Sequence, residues 1–256
     1  MFSQAIVRPP SQNFADGLTT HKGQPPNHKK AQEQHESYCQ ALAKCGLTLT
    51  HLAPDEAHPD STFVEDVAVL TKNTAILTRP GAKSREGEVA NIRDPLKTFF
   101  KSIQEIQSPG TVDGGDICEA ANHYFIGLSQ RTNEEGAKQL AIFLAQSGHT
   151  STLVDIRAMK SILHLKSGIA AIGEHQLVVM EEMADRPQFR GYEIIRVPPE
   201  ETYAANCIEV NGQVLIATGF PKLAAALANQ GFQYLPLEVS EFQKMDGGLS
   251  CLSLRF

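Results

Sequence analysis

Lys244-Met-Asp-Gly-Gly-Leu-Ser-Cys251-Leu-Ser-Leu-Arg-Phe256 sets one cysteine between a double glycine and a short apolar run. Glycine tolerates backbone conformations that other residues avoid, so Cys251 can sit on a bent, accessible segment. The apolar run after it can anchor, as a strand, a chain end that would otherwise be loose. Free cysteine is among the most buried residue types. Taken alone, the segment therefore favours a structural thiol, and the choice passes to the rest of the chain.

Outward from that segment the sequence alternates short strands with helices. Residues 1–30 read as loop around two strand-like residues, Ile6 and Val7. The spacing predicts a helix from Ala31 to Cys45, with Tyr38, Leu42 and Cys45 on one face and Gly46 as its stop. Strands are expected over 47–52, 63–70 and 74–78, then a helix over 89–101 broken or delayed near Pro95. Ile117 and residues 124–127 are strand-like. Thr132 or Asn133 caps a helix that runs to Gln146 and ends at Gly148. Residues 152–156, 168–172, 176–180 and 193–197 read as strands. Residues 207–217 read as a hairpin, in which Asn211-Gly212 supplies two positive-φ positions. Pro221 opens a helix that Gly231 closes, and a last internal strand spans 234–239. The class is α/β. Strands come in pairs before the next helix, unlike a plain βαβ series, which suits a ββα-type unit. No Pro/Ser-rich linker divides residues 1–256, so one domain is expected.

Composition narrows the function. A net charge of -6 and no Lys/Arg stripe argue against a nucleic-acid surface. No apolar stretch is long enough to span a bilayer, and the first residues lack the pattern of a signal peptide. The five cysteines are an odd number without metal-ligand spacing, so they are expected to be reduced thiols in a cytoplasmic protein. The expected partner is a small molecule, bound by a monomer or homodimer without nucleic-acid or membrane contact.

Several loops carry polar groups with no evident structural task. Asp60, Glu65 and Asp66 cluster around one strand start, as a solvated loop or a cation site. Arg79 and Arg85 lie in a glycine-punctuated loop, and an arginine fork suits a carboxylate. Asp113-Gly-Gly-Asp116 pairs acids with glycines that let backbone approach a ligand. Arg131 precedes a helix N-terminus, where anions are favoured. His164 stands in the apolar run Leu163-His-Leu-Lys166, where a satisfied core histidine is the commoner outcome. No clustered His–carboxylate motif marks a metal site, and there is no P-loop, GxSxG or strand-linked GxGxxG.

In order, Phe63-Val-Glu65-Asp66, Arg79-Pro-Gly, Asp113-Gly-Gly-Asp116, Leu163-His164-Leu-Lys166 and Asp246-Gly-Gly-Leu-Ser-Cys251 resemble the guanidine-modifying, or pentein, superfamily. Within it, the match is best to the dimethylarginine dimethylaminohydrolase family, over roughly Asp16 to Phe256. The resemblance implies a five-bladed α/β propeller of pseudo-symmetric ββαβ units in a single domain. It implies Cys251 as nucleophile, His164 as general acid/base and Asp113 as its acid, with neither metal nor organic cofactor. Asp66 would grip a guanidinium beside Glu65. Asp60 would lie near the substrate's amino end, Arg85 and Arg131 on its α-carboxylate, and Met245 against it. Leu18 would ride a mobile lid.

The implied reaction is hydrolysis of Nω-methylated arginines to citrulline and methylamine or dimethylamine through a covalent thiouronium. Arginine deimination, amidino transfer and a non-catalytic arginine binder are the alternatives. Negative charge around Cys251 leads to the expectation of a neutral thiol that a bound guanidinium activates.

Overall fold

A computed structural model of the chain describes residues 1–256. It opens with β1 (Gln4–Val7), α1 (His28–Lys44) and β2 (Thr48–His51). Asn27 caps α1 by accepting from the Lys30 N–H, and Tyr38 and Leu42 bury its inner face. Four further units follow. They are β3 (Ala68–Leu70), β4 (Thr74–Leu77), α2 (Ala90–Lys97) and β5 (Ser102–Glu105); then β6 (Ile117–Ala120), β7 (His123–Leu128), α3 (Glu134–Gln146) and β8 (Thr150–Asp155). The next is β9 (Ile169–Ile172), β10 (Gln176–Met180) and β11 (Glu193–Val197), and the last is β12 (Ile208–Val210), β13 (Gln213–Ala217), α4 (Pro221–Asn229) and β14 (Gln233–Leu237). Finally β15 (Leu254–Arg255) returns to pair antiparallel with β1.

Each unit is a three-stranded sheet in which an antiparallel pair is joined by a parallel third strand. A parallel partner needs a long crossover, and a helix supplies it in four of the five units. In the unit of β9 to β11 two short 3-10 turns do so instead. The fifth sheet, β15-β1-β2, draws on both ends of the chain. This is the five-bladed propeller expected from the ordered motifs. The inner strand of every blade lines a central cavity of ≈ 730 Å³. Neighbouring blades share apolar clusters. In one, Val69 and Ile76 meet Ile117, Tyr124 and Leu140.

The turn between β12 and β13 has φ of 52° at Asn211 and 88° at Gly212, as its sequence requires. Two expectations change. Residues 64–67 form a 3-10 turn, not the start of a strand, and β3 begins only at Ala68. The expected helix over 89–101 is α2, which contains Pro95 and stops at Lys97, so that β5 can follow. Cys251 stands on a 3-10 turn, Ser250–Leu252, ahead of the terminal strand.

Candidate active site

Leu18, Asp60, Asp66, Arg85, Arg131, His164, Met245 and Cys251 line one small cleft of ≈ 30 Å³ at the propeller axis. Local turns aim them there. The 3-10 turn Val64–Val67 presents Asp66, and a second one, Gly114–Asp116, lies against it. A Cβ on Gly114 would run into the Glu65 carbonyl oxygen, and one on Gly115 would lie 2.9 Å from Asp66 Oδ1 and 3.0 Å from His164 Cγ. Only glycine permits that approach. The Gly115 N–H then donates to Asp66 Oδ1 at 2.8 Å.

Arg85 ties this floor together. Its guanidinium pairs with Asp66 and with both oxygens of Glu88, and also donates to the Asp60 and Phe63 carbonyls. All three of its nitrogens are engaged and it is buried. Burial opposes ionisation of Asp66, but Arg85 and then His164 outweigh it and hold the carboxyl at about 2. Arg131 is less committed. It reaches Asp113 Oδ2 at 3.5 Å and keeps more of its side chain in solvent.

His164 lies among three carboxylates. Its Nε2 is 3.9 Å from Asp113 Oδ2, and its Nδ1 is 3.5 Å from Asp116 Oδ2. Burial alone would lower its pKa. Asp116, then Asp66 and Asp113, overturn that and raise it to about 9. Asp113 is fully buried behind the cleft and accepts the Gly81 N–H at 2.7 Å; burial and then Asp66 raise its pKa. Burial, then Glu65 and Asp66, push the Cys251 thiol up to about 12. Asp66, Asp113 and His164 bring ligand atoms within 4.8 Å of one another. Arg85 and Arg131 already pair with the two carboxylates, so the set belongs to a cation-binding floor and is not assigned as metal ligands.

The segment after the 3-10 turn Phe14–Asp16 borders the cleft through Leu18. The Leu18 N–H donates to both Asp60 oxygens, at 3.0 and 3.2 Å, and Thr20 bonds Asp246 through its N–H and hydroxyl. Glu65 requires a correction, because it does not enter the cleft. Successive side chains on a 3-10 turn point about 120° apart, and the Glu65 carboxylate faces the central cavity. There it pairs with Lys166 and Arg255 and accepts from Ser250 Oγ at 2.8 Å. Its charge raises the Cys251 pKa, and Ser250 Oγ, which donates to it, stands 3.9 Å from Cys251 Sγ. Asn206, which the motif reading did not single out, links the loops that carry His164 and Cys251. Its amide donates to Lys166 O at 2.9 Å and Ser250 Oγ at 3.1 Å, and its oxygen accepts the Ser250 N–H at 3.0 Å.

Residues 11–252 match the family described as "N,N dimethylarginine dimethylhydrolase, eukaryotic". The chain is also 42% identical, over the full length of both, to the N(G),N(G)-dimethylarginine dimethylaminohydrolase of Pseudomonas aeruginosa. The chain belongs to the dimethylarginine dimethylaminohydrolase family. Among solved members, the Pseudomonas aeruginosa enzyme as a cysteine-to-serine mutant complexed with citrulline superposes with a TM-score of 0.96 at 41% identity, each chain fully covered. A histidine-to-glycine dimethylarginine dimethylaminohydrolase in adduct with S-methyl-L-thiocitrulline gives the same values. The five-bladed architecture of this family member is accordingly the pentein fold.

Proposed function

We propose that this family member hydrolyses Nω-methyl- and Nω,Nω-dimethyl-L-arginine to L-citrulline and the corresponding amine. The observation that carries the reading is the joint opening of Cys251, His164 and the ionised Asp66 onto one cleft, with Arg131 at its rim. A guanidinium is planar, cationic and a poor electrophile. Asp66 would bind its N–H groups and fix its plane. Arg131, with what remains of Arg85, would hold the α-carboxylate, Asp60 the amino group, and Met245 the side-chain stem.

The bound cation lowers the Cys251 pKa, and the thiol proton leaves for solvent. The thiolate adds to the guanidinium carbon. Protonated His164 gives its proton to the departing dimethylamine, and an S-alkylthiouronium remains on Cys251. Neutral His164 then takes a proton from water, the hydroxide adds to the same carbon, and the C–S bond breaks to release citrulline and the thiolate. The balance is dimethylarginine plus water to citrulline plus dimethylamine. Five free cysteines support a cytoplasmic site of action, and we take the chain to work as a monomer or homodimer on a small molecule.

The test is a panel of dimethylarginine, monomethylarginine, arginine and agmatine, with citrulline and released amine quantified. Turnover of both methylated arginines is expected. Turnover of free arginine with dimethylarginine left intact overturns the reading in favour of deimination. Cys251→Ser should abolish turnover, and His164→Gly should accumulate a covalent adduct visible by intact-protein mass spectrometry after acid quench.

A further inference from the structure

Asp116 carries no role in the chemistry above, yet it is the acid closest to His164. Its side chain is fully buried and held from three directions. Ser129 Oγ donates to Oδ2 at 2.6 Å, Thr132 Oγ1 donates to the same oxygen at 2.7 Å, and the Leu165 N–H donates to Oδ1 at 3.0 Å. The carboxylate therefore fixes the backbone immediately after His164 as well as facing its ring. His164 Nδ1 is buried without a hydrogen-bond partner, and the nearest carboxylate oxygen to it is Asp116 Oδ2, in ion-pair contact at 3.5 Å.

The three acids around His164 differ in their counter-charges. Asp66 is paired with Arg85 and Asp113 with Arg131. Asp116 has no cation partner other than His164 itself. Its distance to the ring is also shorter than that of Asp113, which approaches the opposite nitrogen.

We propose that Asp116 is the positioning residue for His164, receiving the Nδ1–H and leaving Nε2 turned toward the reacting groups. The inference rests on the functional reading above and deepens it. A base that must accept a proton from water at Nε2 has to carry its own proton at Nδ1 when neutral. A carboxylate on Nδ1 enforces that tautomer and stabilises the imidazolium formed in each half-reaction. Asp113, buried behind the cleft and held by Arg131 and the Gly81 N–H, then contributes charge near Nε2 and not the orienting contact at Nδ1.

The experiment reads His164 without turnover. The full chain is labelled with ¹⁵N-histidine, and the His164 signals are assigned by their loss in His164→Gly. In the wild type, the neutral ring should show Nδ1–H. Asp116→Asn keeps the shape and removes the charge. An opposite charge within about 4–6 Å contributes roughly 1–3 pKa units, so the His164 midpoint should fall by about one pH unit or more. Asp113→Asn should move it less. An unmoved midpoint in Asp116→Asn, or a larger displacement in Asp113→Asn, overturns the assignment. Should Asp116→Asn fail to fold, Ser129→Ala decides. It withdraws one hydrogen bond from the ionised carboxylate, leaves Asp116 a stronger partner, and should raise the midpoint; an unmoved or lowered midpoint overturns the proposal. A wild type that leaves dimethylarginine intact would sink the functional reading while these titrations still report the partner of His164.

Discussion

Arg85 and Arg131 show how far identical side chains diverge with their surroundings. Arg85 is buried between Asp66 and Glu88, and its removal leaves two buried carboxylates uncompensated. Arg85→Ala should therefore lose about 3–5 kcal/mol of stability in urea unfolding. Arg131→Ala should lose little stability and instead raise KM for dimethylarginine, since its fork is partly free. Equal stability losses in the two variants would contradict this division. Cys251 gives a pH prediction. Burial, Glu65 and Asp66 raise its pKa to about 12, so the thiol form holds at neutrality and the reactive thiolate gains only as pH climbs toward that value. Inactivation by iodoacetamide should be slow at pH 7, should accelerate through the alkaline range, and should speed up at pH 7 when an amidine that leaves the sulfur accessible is bound. A midpoint well below neutrality would point instead to a preformed Cys251–His164 ion pair. Most of these residues were legible in the sequence, because motif order names a position whatever its geometry. The misreadings concern direction. Whether Glu65 or Asp66 faces the ligand depends on a 3-10 turn that the sequence presented as strand. Asp116 was quoted in its motif but left without a role, because an acid after two glycines also reads as an ordinary turn.

At the scale of elements, the segment bearing Leu18 and Thr20, which we propose as a lid, is the part most open to a test. Thr20 is fastened to Asp246 by an N–H bond of 2.6 Å and a hydroxyl bond of 3.0 Å, and Leu18 on the same segment is 41% exposed. Asp246 holds a positive φ of 56°, so Asp246→Gly removes the carboxylate without backbone strain. Two hydrogen bonds at about 1 kcal/mol each would lower the ratio of closed to open segment by roughly tenfold or more. The expected outcome is a comparable fall in kcat/KM and faster proteolytic cutting between Leu18 and Gly23. Unchanged kinetics and protease resistance would show that these bonds do not govern closure. The elements that the sequence marked well are those with a physical signature of their own. Asn133 accepts from the Gly136 N–H and starts α3, and Gly148 ends it with φ of 85°. By contrast, β5 runs Ser102-Ile-Gln-Glu105 with a single apolar residue, and its pairing with β4 is a tertiary fact that local propensity does not encode.

The whole molecule depends on a closure that no local pattern announces. Pairing of β15 with β1 completes a blade from the two ends of the chain, and the Phe256 carbonyl accepts from the Ser3 and Gln4 N–H groups at 2.9 and 2.8 Å. The strand that closes the ring begins three residues after Cys251, so closure and the placement of Cys251 share one segment. Leu254 is its apolar anchor. It is 4% exposed and packs in a cluster with Ile6 from β1 and Val67, Ala75 and Leu77 from the adjoining blade. Truncating a buried leucine to alanine loses both transfer energy and the packing around the void, about 2–5 kcal/mol. Against a typical total of about 5–15 kcal/mol, that is a large fraction of the stability. Leu254→Ala should therefore lower the urea midpoint strongly, and it should also lower kcat because the segment bearing Cys251 loosens. Ile142→Ala, at a site 55% exposed on α3, should change stability by less than about 0.5 kcal/mol and leave kcat alone. If the ring is one cooperative body, fluorescence, circular dichroism and activity should be lost together in Leu254→Ala. A separate early transition, with most of the secondary structure retained, would instead mean that the blade built from the two chain ends can open while the other four stay folded.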